Sequence, residues 1–117
     1  MGAKTFEELR AWQFASALSD KVVAIREMPV LQRDPVSREQ LRNAAEAAPR
    51  LIAEGFGRWG HRAFAHYLVM ARSEVMEAKS DLLKLRRRRT IQPEVATELI
   101  DLAEVTIRTI NRLRSSL

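Results

Sequence analysis

Three glycines spaced Gly55-x-Gly57-x-x-Gly60 are the first residues in this 117-residue chain whose pattern could do chemistry. Backbone without side chains can close around a pyrophosphate when a buried strand leads into the glycines and a helix leaves them. Here residues 41–54 lead in, and they are alanine-rich, with apolar residues at helical spacing and no β-branched alternation. The glycines therefore read as a corner between two helices, and no nucleotide cofactor is expected. The histidines offer no better. His61 and His66 are five apart, about 140° round a helix, and so cannot share a metal. There is no H-E-x-x-H, and no glutamate lies three residues before either histidine, as carboxylate-bridged di-iron bundles require. Cysteine is absent, which excludes a disulfide framework and a thiolate zinc site. The serines have no histidine base at any recognisable spacing. Glu54, beside the glycines, reads as a partner of the local turn or of Arg58 rather than as an acid or base. The expectation is a protein that is not an enzyme, with no catalytic residues, metal or cofactor.

The remaining residues with a chemical purpose are cationic. Arg86, Arg87, Arg88 and Arg89 are consecutive and span more than one helical turn, so their guanidinium groups radiate in several directions. That suits phosphate contacts and not base reading. Lys79 and Lys84 upstream, and Arg108, Arg112 and Arg114 near the chain end, join the same expected basic region. Arg58 and Arg62 flank the start of the third helix, where free amides could hold a phosphate; an intersubunit salt bridge is the equal alternative. The bland reading of the run is that arginines near a helix C-terminus complement its dipole, each worth up to about 1 kcal/mol. Four in a row exceed that need. The whole chain has 20 Lys and Arg against 15 Asp and Glu, a net charge of +5, which favours anionic partners. The polar faces carry too many carboxylates for a membrane-surface helix. Trp12, Trp59 and Tyr67 could stack bases, although Trp12 falls on a packing seam.

Positioning these groups is the work of helices. With 46% hydrophobic and 30% charged residues, the chain reads as one folded domain. It has no apolar run of membrane-spanning length and no apolar segment of a secretory leader, so a cytoplasmic location is expected. Helical periodicity predicts helices at about 5–28, 37–55, 61–88 and 93–114. In the first, Ala11, Phe14, Ala15, Leu18, Val22 and Ile25 share a face. The second is expected to open with Ser37 as N-cap, a capping box to Gln40 and a Val36–Leu41 staple, and to kink at Pro49. The third carries Phe64, Leu68, Ala71, Val75, Ala78, Leu82 and Leu85, a heptad seam over three repeats. The fourth opens at Pro93 and turns Leu99, Ala103, Thr106, Ile110 and Leu113 inward. Short connections imply an all-α, antiparallel up-down-up-down four-helix bundle.

Several helices carry a second apolar set. Ala65, Val69, Met76 and Leu83 lie almost opposite the main seam of the third helix. Leu9, Trp12 and Val23 do the same on the first, and Ile100 and Ile107 widen the fourth. On a monomer such faces would leave a large apolar patch, which predicts a homo-oligomer with these nine residues at its interface. Singly scattered apolar residues would need no explanation.

Leu41-Arg42-Asn43-Ala44-Ala45 with Ala48-Pro49, Ile52-Ala53-Glu54-Gly55-Phe56-Gly57-Arg58 and Phe64-Ala65-His66-Tyr67-Leu68 together resemble one bacterial family. It is the four-helix-bundle proteins encoded in intervening sequences of 23S rRNA genes, relatives of the accessory variability protein of diversity-generating retroelements. Phe6-Glu7-Glu8-Leu9 and Trp12-Gln13 fit the family's opening. The chain departs from the pattern where Ser73 and Glu74 replace a usual Gly-Ser pair, while Glu77 matches the glutamate that follows. Its four-arginine run is more basic than the family pattern. The resemblance implies a ring of subunits, typically a homopentamer, on which the charge surplus would repeat to about +25 and give steep salt dependence. The retroelement relatives bind nucleic acid and a reverse transcriptase through a basic surface. The expected function is non-enzymatic, non-specific binding of RNA or an RNA/DNA hybrid through Lys84, Arg86, Arg87, Arg88, Arg89, Arg58 and Arg62. The alternative is a scaffold for another protein, with no nucleic-acid role.

Overall fold

The computed structural model describes residues 2–117. A short 3-10 turn, Phe6–Glu8, precedes five helices: α1 (Arg10–Arg26), α2 (Pro29–Gln32), α3 (Pro35–Phe56), α4 (His61–Arg87) and α5 (Pro93–Ser115). The four long helices form the expected bundle. α1 packs on α3, α3 on α4, α4 on α5 and α5 back on α1. Cross-helix pairs fix the directions. Arg26 at the end of α1 reaches Glu39 near the start of α3 at 3.0 Å. Between α4 and α5, Arg72 donates to Asn111 Oδ1 at 3.3 Å, Lys79 meets Glu104 at 3.5 Å, and Arg86 donates to Thr97 Oγ1 at 3.1 Å. As one number rises the other falls, so the neighbours run antiparallel. The two ion pairs among these contacts are partly exposed and orient more than they stabilise, each being worth about 0–1 kcal/mol.

The core is built as the periodicity demands. All seven residues of the α4 seam are buried. Leu18, Leu31, Leu41, Ile52, Leu68, Leu82 and Ile110 are fully enclosed, each contributing about 1.5–3 kcal/mol. Ala44, Ala45, Ala47 and Ala48 are buried on α3 and give α4 room to approach closely. Closest of all is Gly55, where a Cβ atom would sit 2.5 Å from Tyr67 Cβ and 3.1 Å from the Phe64 ring. Thr106, buried among apolar neighbours, satisfies its hydroxyl by donating to Leu102 O at 2.7 Å.

Several local expectations are corrected. The first helix is not continuous over 5–28. Leu9 is extended (ψ 124°) between the 3-10 turn and α1, and α1 ends at Arg26. Pro29 then opens α2, where its missing N–H costs nothing. The N-cap of α3 is Asp34, with Pro35 at the first position; Asp34 Oδ1 accepts from Ser37 N at 3.2 Å. Ser37 is therefore inside the helix and not its cap, and Val36, 66% exposed, forms no staple. Pro49 does lie inside α3, as expected.

The apolar surplus shrinks too. Leu9, Ile100 and Ile107 are buried within one subunit, so they are not spare surface. Leu9 turns inward because it precedes α1 and does not follow its phase. Ile100 and Ile107 are covered because α5 touches two neighbours, α1 and α4, and buries a wider arc than one seam. Trp12 is half-buried, edge-on to Phe6 at 5.3 Å. Ala65 and Val69 are half-buried, and only Val23, Met76 and Leu83 of the nine remain exposed.

Candidate nucleic-acid interface

α4 delivers the arginine run to one end of the bundle. Lys84, Arg86 and Arg87 sit in its last turn. Arg88 caps it, and Arg89 follows with φ 54°, the only positive φ on a non-glycine residue among those described. Arg89 N donates to Arg86 O at 3.1 Å, and Thr90 N donates back to Leu85 O at 2.9 Å. This is the Schellman closure that usually places glycine in the left-handed position. An arginine there carries strain of about 1–2 kcal/mol, and strained backbone concentrates at functional positions.

Along the helix flanks several cations are neutralised. Lys21, Arg26, Arg38, Arg42 and Lys79 lie within ion-pair distance of Glu98, Glu39, Glu46 or Glu104. Among the described residues, no carboxylate pairs with Lys84, Arg86, Arg87, Arg88 or Arg89. Arg86 is half-buried and tied to Thr97, which leaves Arg87, Arg88 and Arg89 fully available to solvent. Asp34 feels this end: Ser37 holds its carboxyl below the usual value, with smaller help from Lys84 and Arg88. Arg33, which the sequence reading missed, is carried here by α2 and lines a surface concavity with Arg89, Thr90 and Gln92. Its signal was Pro29, which starts a helix where a loop was expected. Leu83 lines a second shallow concavity with Arg86, Arg87 and Arg89.

The remaining expected residues are elsewhere. Arg58 and Arg62 flank the α3–α4 corner, at the opposite end of α4, a helix of 27 residues and so about 40 Å long. Arg108, Arg112 and Arg114 also fall away from the run, because α5 is antiparallel to α4. The bundle thus has two basic poles and not one region. At the second pole Arg58 lies 5.2 Å above the Tyr67 ring; it makes no ion pair with Glu54. Gly60 takes φ 89° to start α4, whereas Gly57 is right-handed. The glycine fingerprint therefore has no strand and no phosphate cradle. His61 and His66 are both exposed, and no three potential ligands cluster for a metal among the described residues.

Between the poles, the α3–α4 flank is acidic. Glu74, Glu77 and Asp81 face Gln40, Asn43 and Arg50 across a shallow groove. Burial pushes the Glu74 carboxyl up, aided by Glu77, and burial does the same to Asp81 against the pull of Lys84. A polyanion would be repelled from this flank and directed to the ends. Among the described residues, no helix is long and apolar enough to cross a membrane.

A model of the family described as 23S rRNA-intervening sequence protein matches residues 7–112. No curated protein matches the chain.

Proposed function

The chain belongs to the 23S rRNA-intervening sequence protein family, and from that premise we propose a non-enzymatic, homo-oligomeric bundle that binds RNA or an RNA/DNA hybrid non-specifically through phosphates. One observation carries the reading: Arg87, Arg88 and Arg89 project from the end of α4 without a carboxylate partner, with Arg33, Lys84 and Arg86 beside them. Phosphate is the anion that such a fan of guanidinium groups suits, since each contact needs charge and forked donors but no shared plane. Self-association is supported by Met76 and Leu83, 46% and 38% exposed, which continue the half-buried Val69 at seven-residue intervals along α4. A second copy would cover them.

The test is a salt titration of binding to random-sequence single-stranded RNA. Each phosphate contact contributes about 0.7 to the slope of log affinity against log salt. Arg87→Gln, Arg88→Gln and Arg89→Gln together should lower the slope by about 2 per subunit engaged. Absence of affinity at low salt would remove the reading in favour of a protein scaffold with a solubilising surface. An unchanged slope in the triple variant would show that this pole is not the interface.

A further inference from the structure

Trp59 is 99% exposed, whereas no other large apolar side chain among the described residues exceeds the 66% of Val36. An indole left in water forgoes a burial worth more than that of most side chains. Its placement is not slack. The corner between α3 and α4 is only four residues long, and its backbone is held: Gly57 N donates to Ala53 O at 3.2 Å, Arg58 N to Gly55 O at 3.1 Å, and Phe64 N to Gly60 O at 3.4 Å. Arg58 is anchored over Tyr67, and Gly55 locks α3 against that same tyrosine. The corner holds the indole out at the tip of the second pole.

Its neighbours identify the ligand. Arg58 and Arg62 make no ion pair among the described residues, and His61 is exposed. Arg112 and Arg114 of α5 lie on this half of the bundle but back from the tip, since Asn111 meets Arg72, eleven residues beyond the start of α4. No other large exposed apolar residue is on the corner: Val23, Val30, Val36, Met76 and Leu83 belong to the helix flanks or the far pole. A protein-docking anchor is ordinarily ringed by residues that exclude water, and a membrane-surface anchor needs an apolar face. A lone indole among guanidinium groups matches single-stranded nucleic acid, whose unstacked bases offer a π-face and whose phosphates need cations. A duplex hides those faces.

We propose that Trp59 is a base-stacking tip for single-stranded nucleic acid, with Arg58 and Arg62 taking the flanking phosphates. This rests on the nucleic-acid reading above, but at the opposite pole from Arg87, Arg88 and Arg89. The test uses full-length protein with Trp12→Phe, so that Trp59 alone emits, titrated at low salt with a short oligouridylate and with a duplex of equal length. Single strands should quench the emission and duplex should not. Trp59→Ala should weaken single-strand binding about tenfold, Trp59→Phe less, with the helical circular dichroism unchanged. Tight single-strand binding without a change in emission, and with Trp59→Ala as tight as its parent, would overturn the tip while leaving the arginine pole standing. Failure to bind either nucleic acid would overturn both. Protection of Trp59 from acrylamide in the free protein would show that another copy covers the indole, and would also overturn the tip.

Discussion

Arg89→Gly separates what the arginine pole does for the fold from what it does for a ligand. Arg89 occupies a left-handed position (φ 54°) in a closed helix terminus whose hydrogen bonds involve only backbone, 3.1 Å to Arg86 O and 2.9 Å from Thr90 N to Leu85 O. Glycine keeps both bonds and removes a strain of about 1–2 kcal/mol. It also loosens the unfolded chain, which returns about 0.5–1 kcal/mol. The net is a gain of about 0.5–1 kcal/mol, or a rise in Tm of roughly 2–6 °C for a domain of this size. The side chain makes no ion pair that would be lost. Urea unfolding followed by circular dichroism measures the gain, and the salt slope of RNA binding, expected to fall by about 0.7 per subunit engaged, measures the loss. A stabilised variant that binds less well would mean that the strain is retained for the ligand. A less stable Arg89→Gly protein would refute the reasoning, because it would give the guanidinium a structural role. A stabilised variant with unchanged salt slope would remove Arg89 from the interface.

Gly55→Ala sets helix propensity, about 1 kcal/mol in favour of alanine, against a Cβ placed 2.5 Å from Tyr67 Cβ, an overpacking of about 1–3 kcal/mol. The contact atom is next to backbone and cannot swing away, so the variant should be less stable in urea unfolding by up to about 2 kcal/mol; Tyr67→Ala, which keeps the Cβ, should not rescue it. Met76→Glu with Leu83→Glu should preserve the helical spectrum while light scattering falls to the 13.4 kDa subunit; an unchanged mass would place the interface elsewhere. Asp34 has a lowered folded-state pKa, so its stabilisation is present above its ordinary value of 3.8 and is lost as pH falls through the lower folded value. Asp34→Ala should therefore lower Tm near neutral pH, with the gap narrowing as pH falls below 3.8 and through the lowered folded-state value, and a gap independent of pH would show that the cap's charge is irrelevant. Glu74 is shifted the other way: the folded state holds its proton more tightly, so ionisation burdens the fold at neutral pH and the burden eases as pH drops toward and below the raised value. Glu74→Gln should raise Tm at pH 7, and by less as pH is lowered toward 4.5; equal Tm values at both would sink the argument.

Strictly local patterns were legible in the residues alone. The α4 seam from Phe64 to Leu85, the Pro93 start of α5 and the corner at Gly55, Gly57 and Gly60 follow from spacing, proline's fixed φ and glycine's missing side chain, and none needs knowledge of a neighbour. The cap of α3 was legible as well, in Asp34 before Pro35, but Ser37 with Gln40 presents a rival signal that local sequence does not break. The number of faces a helix buries was not legible. Ile100 and Ile107 look like surplus beside one stripe and are core once α5 lies between two neighbours. The grouping of charge was not legible either. Arg86 and Arg112 both approach helix C-termini and look alike in sequence, yet α4 and α5 run in opposite directions and set them at different poles, while α2 brings Arg33 beside Arg89. Periodicity decides which side of a helix is apolar, because it depends on the 100° step alone; which residues share a surface depends on helix direction and contact, which only the packed bundle supplies.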